Sequence, residues 1–170
     1  IFEITLRTPK ALEAIEAVAK AFPDAITGAG TVINAETFKA VEDAGAKFAI
    51  SPGLTRSLAA SMKERNIPLL PGVATASEIM SGLEYGLDAF KLFPATVVGG
   101  VEALKAFGGP FKDVLFCPTG GVNAGNAKSF LALENVACVG GSWIVPANLI
   151  QEKRFDEITR LTKEAVELLN

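Results

Sequence analysis

Lys91 stands inside the apolar run Ala89-Phe90-Lys91-Leu92-Phe93-Pro94. A fully ionised lysine in such a run must snorkel to water, find a partner or lose its charge. The last course makes it a nucleophile, because only the neutral amine attacks a carbonyl. At an unperturbed pKa of about 10.4, only about 0.04% of a lysine is neutral at pH 7; at about 8, the figure is about 9%. That is roughly 200-fold more reactive amine, for an environmental cost of about 3 kcal/mol.

A second set of chemical residues opens the chain. In Ile1-Phe2-Glu3-Ile4-Thr5-Leu6-Arg7, the residues Phe2, Ile4 and Leu6 share one face of a strand, and Glu3, Thr5 and Arg7 share the other. In an isolated antiparallel strand this pattern means apolar in, polar out. In a parallel barrel the apolar face meets the helices and the polar face points inward, where a carboxylate and a guanidinium are expensive unless they act. By the same alternation Lys91 and Phe93 share a face opposite Phe90 and Leu92. Glu3, Arg7 and Lys91 are therefore expected to point into one lumen.

Composition narrows the chemistry. The 170 residues contain no histidine, so a histidine base, a Ser-His-Asp triad and the common zinc sites are excluded. Acid–base work falls to carboxylates, lysine, tyrosine or water, and metal-free catalysis is expected. A net charge of −3 without a basic stripe argues against nucleic-acid or membrane partners. No apolar run approaches the ~18 residues of a membrane span. Cys117 and Cys138 lie in apolar runs without C-x-x-C spacing and read as buried, reduced cysteines of a cytoplasmic protein.

These residues need a scaffold, and the chain repeats one. Strand-like runs begin near Ile1, Ala25, Lys47, Ile67, Asp88, Val114 and Val136. Helix starts follow at Thr8-Pro9, Asn34, Thr55, the capping box Thr75-Ala76-Ser77-Glu78, and Asn123. Gly45 suits the end of the second helix, and a final helix is expected from about Phe155 to Leu169, with Ile158, Leu161, Val166 and Leu169 on one face. Short alternating βα units imply a parallel sheet. Glycine, proline, serine and threonine recur after the strands, which favours one functional rim of a (β/α)8 barrel over the single switch point of a doubly wound sheet. The last two such loops, Pro118-Thr119-Gly120-Gly121 and Gly140-Gly141-Ser142, fall where these barrels bind phosphate.

Together the motifs resemble the class I 2-keto-3-deoxy-6-phosphogluconate (KDPG) aldolases, which also cleave 4-hydroxy-2-oxoglutarate (KHG). The matching stretches are Glu3-Ile4-Thr5-Leu6-Arg7-Thr8, Gly28-Ala29-Gly30-Thr31-Val32, Phe48-Ala49-Ile50-Ser51-Pro52-Gly53, Leu69-Leu70-Pro71-Gly72, Phe90-Lys91-Leu92-Phe93-Pro94-Ala95, Phe116-Cys117-Pro118-Thr119-Gly120-Gly121 and Gly140-Gly141-Ser142-Trp143. The resemblance implies a lyase in which Lys91 forms a Schiff base with a phosphorylated 2-keto acid and Glu3 shuttles protons. It implies that Arg7, Thr31 and Thr119 hold the pyruvyl carboxylate and its surroundings, with Phe93 and Pro94 as walls. Gly120, Gly121, Gly141 and Ser142 would bind phosphate, and the assembly would be a cytoplasmic homotrimer of (β/α)8 barrels.

Relative to that pattern, seven strands are visible and the first βα unit is missing. The chain reads as one barrel domain over residues 1–170, N-terminally truncated or part of a longer enzyme, with a gap between the strands at Ile1 and Val136. Two alternatives stay open. One is a phosphosugar isomerase or epimerase in which Glu3 abstracts a proton and Lys91 supplies charge. The other is a sugar-phosphate-binding module without activity.

Overall fold

Alternation decides which way the first strand faces. In the computed structural model, which describes residues 1–168, β1 (Phe2–Thr5) sets Ile4, with Leu6 just beyond it, against a buried cluster that includes Ile15, Ala29, Val32, Phe38, Val41, Ala49, Leu58 and Leu69. Each large apolar side chain buried completely in this way contributes about 1.5–3 kcal/mol. The opposite face of β1 is left to the polar residues.

The chain forms two compact units, Ile1–Lys91 and a second that starts at Leu92. In the first, α1 (Ala11–Ala21) leads to β2 (Thr27–Gly30), α2 (Ala35–Asp43) to β3 (Ala49–Ile50), and α3 (Arg56–Ser61) to β4 (Leu69–Leu70). The four strands pair in parallel in the order β1-β2-β3-β4, because each helical crossover returns the chain in the same direction. Then come β5 (Gly72–Val73), α4 (Ala76–Glu84) and β6 (Ala89–Leu92), whose last residue belongs to the second unit. A carboxylate ties two crossovers together: Glu42 on α2 accepts from the Asn66 N–H at 2.6 Å and from Arg65 at 3.2 Å.

Three helix starts agree with the sequence reading. Asn34 and Thr75 cap α2 and α4 in reciprocal capping boxes with Thr37 and Glu78, and Thr55 caps α3 through the Leu58 N–H. Gly45 follows α2 at φ +92°, a conformation that costs glycine least. Two starts are later than expected. The chain after Thr8-Pro9 first turns, and α1 begins at Ala11. Asn123 accepts from the Gly125 N–H in a local turn instead of capping, so α6 (Ala127–Leu131) starts beyond it.

The second unit also contains α5 (Gly100–Gly108), β7 (Leu115–Phe116), α7 (Ala147–Gln151) and α8 (Phe155–Glu167). Phe116 on β7 stacks on Phe107 of α5 with ring centroids 6.0 Å apart. The strand expected from Val136 is reduced to two parallel bridges, Phe116–Val136 and Thr119–Gly140. Between them the β7 side advances three residues and the other side four, so an inserted residue breaks the ladder. The cysteine reading needs correction here: Cys117 is partly buried and Cys138 exposed, because Cys138 lies on this interrupted segment. In α8, Ile158 and Leu161 are half-buried and Val166 is exposed; Leu169 lies outside the described residues.

Among the described residues, one buried polar side-chain atom has no hydrogen-bond partner. Thr27 on β2 is 1% exposed, and its Oγ1 makes no hydrogen bond. An orphaned buried hydroxyl costs about 1–3 kcal/mol, and an apolar group of the same shape avoids that cost. Thr27→Val is expected to raise the unfolding free energy by about 1 kcal/mol in urea titration, with an unchanged m-value. A loss of stability would refute the orphan assignment.

Candidate active site

Pairing of β1 with β2 places Glu3 opposite Gly28 and Thr5 opposite Gly30. The carboxylate of Glu3 lies over Gly30: a Cβ built at position 30 would stand 1.5 Å from Glu3 Oε1. Gly30 is therefore the seat of Glu3, a role that the sequence reading missed because the glycine was taken only as part of a loop. Burial raises the Glu3 pKa above its ordinary value of 4.5, outweighing Lys91 and then Arg7, which both lower it.

Lys91 is 6% exposed on β6, flanked by Phe90 and Leu92 at 0%. Its N–H donates to the Pro71 carbonyl at 2.9 Å, which holds the strand in register. Lys91 and Arg7 thus both act on the partly buried Glu3 carboxylate. Arg7 is exposed at the end of β1, where its N–H turns back onto the Thr5 carbonyl at 2.8 Å.

Thr31, directly after β2, has φ +64°. A β-branched residue in the left-handed region is strained by about 1–3 kcal/mol, and such strain clusters at functional sites. No sequence pattern discloses this; it depends on how the chain leaves β2.

The other candidate residues lie in the second unit. Phe93 and Pro94 are half-buried and joined by a cis peptide bond. The following segment is laced to the glycine loop, with Ala95 N–H donating to the Thr119 carbonyl at 2.8 Å and Thr96 N–H to that of Gly120 at 3.1 Å. Gly120 and Gly121 take φ +96° and +78°. Asn123 and Asn126 side chains both donate to the Gly121 carbonyl, at 3.3 and 3.0 Å. These two asparagines and Thr96 shape the loop, and the sequence reading had taken Asn123 only as a helix start. The Thr119–Gly140 bridge brings Gly120 and Gly121 beside the loop of Gly141 and Ser142, both of them exposed.

Two open hollows of this unit, about 540 and 410 Å³ in volume, lie around Leu104, Lys112 and Asn135 and around Leu131 and Cys138. Neither is lined by a candidate side chain, so hollow size does not mark the chemistry here. Among the described residues no group of three Cys, Asp or Glu side chains could hold a metal ion, and no helix is long and apolar enough to cross a membrane.

Residues 1–161 match the family model for KDPG and KHG aldolase. The chain belongs to this family. It is 53% identical over 167 residues to the KHG/KDPG aldolase of Escherichia coli K12, covering 98% of this chain and 78% of that protein. It is 53% identical over 166 residues to the 2-dehydro-3-deoxy-phosphogluconate aldolase of Dickeya dadantii, with the same coverage. The KDPG aldolase of Legionella pneumophila, solved with pyruvate captured as a covalent carbinolamine intermediate, superposes with a TM-score of 0.92 at 53% identity, over 94% of this chain and 77% of that one. A Zymomonas mobilis KDPG aldolase solved with 3-phosphoglycerate gives 0.87 at 47%, over 96% and 76%. The α/β barrel class and the lyase class, a KDPG/KHG aldolase, follow from these likenesses.

The raised pKa of Glu3 has a definite sign in stability. The folded chain binds the Glu3 proton more tightly than the unfolded chain, so stability falls as pH rises from about 4.5 through the raised folded value. Glu3→Gln removes the buried charge. It is expected to be more stable than the parent at pH 7, with the difference vanishing below about pH 4.5. Thermal melts across pH 4–8 check this, and a variant less stable at pH 7 would contradict it.

Proposed function

We propose that Lys91 carries out a Schiff-base aldol cleavage of 2-dehydro-3-deoxy-6-phosphogluconate to pyruvate and glyceraldehyde 3-phosphate. The observation that carries this reading is a lysine buried in a β-strand with a partly buried carboxylate acting on it. Titratable groups perturbed in this way concentrate where chemistry is done.

The steps follow from the groups. The neutral Nζ of Lys91 attacks the C2 keto carbon, and the resulting carbinolamine loses water to give a protonated imine. The C4 hydroxyl proton passes to Glu3, directly or through water, as the C3–C4 bond breaks and its electrons move into the imine. Glyceraldehyde 3-phosphate leaves; the enamine takes a proton at C3, and hydrolysis releases pyruvate and Lys91. A carboxylate whose pKa lies above the ordinary range suits a group that must both accept and return a proton near neutrality.

Arg7 supplies charge for the pyruvyl carboxylate, Thr31 and Thr119 hydroxyls complete that end, and Phe93 and Pro94 wall it. Exposed N–H groups of Gly120, Gly121, Gly141 and Ser142 suit a phosphate. That loop pair supports the phosphorylated six-carbon acid over 4-hydroxy-2-oxoglutarate, which has the same pyruvyl end and is the lesser substrate. The reading extends to a homotrimer as the working assembly.

Incubation with pyruvate and borohydride is expected to leave a stable adduct on Lys91, found by peptide mass analysis, and Lys91→Ala is expected to lose at least about 10³-fold in kcat, equivalent to about 4 kcal/mol. An isomerase using Glu3 alone would give no adduct, and full cleavage by Lys91→Ala would defeat the proposal.

The phosphate assignment has its own test. Gly121→Ala places a Cβ 2.0 Å from Thr96 Oγ1 at a φ of +78°, so the loop must distort. KM for the phosphorylated substrate is expected to rise about tenfold or more, a loss of about 1.4 kcal/mol, while KHG turnover stays near the parent value. Equal losses on both substrates would remove phosphate from this loop.

A further inference from the structure

The two cysteines form a pair that the aldol chemistry does not use. Counted back two residues from the Thr119–Gly140 bridge, Cys117 stands opposite Cys138; counted forward one from the Phe116–Val136 bridge, it stands opposite Ala137. Cys117 thus faces the Ala137–Cys138 step where the extra residue is inserted. In parallel pairing, opposed side chains point to the same side. On the Thr119–Gly140 side of that step, the Thr119 side chain overlies Gly140 and Cys117 Sγ lies 3.8 Å from Thr119 Oγ1, and the Cys117 thiol is close enough to act on that of Cys138. Neighbouring strands stand about 4.8 Å apart, inside the roughly 4.4–6.8 Å between Cα atoms that a disulfide spans. Cys138 is exposed to solvent.

We propose that Cys117 and Cys138 are a redox-active dithiol that closes to an intramolecular disulfide by exchange with a low-molecular-weight disulfide. The Cys138 thiolate attacks one sulfur of the oxidant RSSR, forming Cys138–S–S–R and expelling RS⁻. Cys117 gives up its proton to solvent and attacks the Cys138 sulfur, expelling the second RS⁻. The two thiols together lose two protons and two electrons; RSSR takes up both electrons and, with two protons from solvent, becomes two RSH.

The order of attack follows from the environment. The hydrogen bond from Cys117 lowers the Cys138 thiol to about 7, against burial that raises it, so a large share of Cys138 is thiolate at neutral pH. Cys117, partly buried and reached through Cys138, is the resolving thiol. Once closed, the bridge fastens to β7 a segment that is otherwise joined to it by two isolated bridges.

The test is chemical, so its failure is distinct from failure of the Lys91 reading. The folded chain is treated with oxidised glutathione under native conditions, quenched with an alkylating agent and digested. Loss of both titratable thiols, with a Cys117–Cys138 linked peptide that dithiothreitol reopens, is the expected result. Cys117→Ser is expected to stop at a glutathione adduct on Cys138. A parent chain that retains both thiols, keeps the adduct on Cys138 without closing, or links two chains instead would overturn the proposal.

Discussion

A carboxylate partly withdrawn from water in the field of a buried lysine is the constraint on which the first unit is built. Each charge alone would be costly in that setting, and together they offset part of the cost. The balance still falls against the Glu3 charge, since burial outweighs both cations near it. This residual cost has a structural counterpart in Gly30, which leaves the space that the carboxylate fills. A side chain there would collide with the carboxylate, since a Cβ at position 30 would stand 1.5 Å from Glu3 Oε1.

The same reasoning accounts for the split labour of β1. Ile4, with Leu6 just beyond the strand, packs against the cluster of Ile15, Phe38, Val41 and Leu58, and that burial helps the strand to carry polar groups on its other face. β6 repeats the arrangement with Phe90 and Leu92 at 0% exposure on either side of Lys91. In the second unit the candidate loop is shaped by backbone: Gly120 and Gly121 turn through left-handed conformations while Asn123 and Asn126 hold the Gly121 carbonyl.

Much of this was legible beforehand where the signal is local. The period-two pattern set Ile4 and Leu6 against the core, although Phe2 is exposed, and Asn34, Thr55 and Thr75 marked their helices because a cap is a contact over three residues. Signals that depended on distant partners failed. Val136 opens an apolar, β-branched run, yet an inserted residue against β7 leaves only bridges. Asn123 has a capping side chain, but Gly125 takes its oxygen first. Cys138 sits in an apolar run and is nonetheless exposed.

The amino-acid order by itself determined the residue types available for chemistry, the absence of histidine, the faces of the strands and the family to which the chain belongs. These are properties of short-range periodicity and of motif identity, and they need no contact map. Only the tertiary structure decided that Gly30 seats Glu3, that Thr31 is strained and that Cys117 meets Cys138. Each of those depends on strand register, and register is set by which strands pair and how far each has advanced when they do.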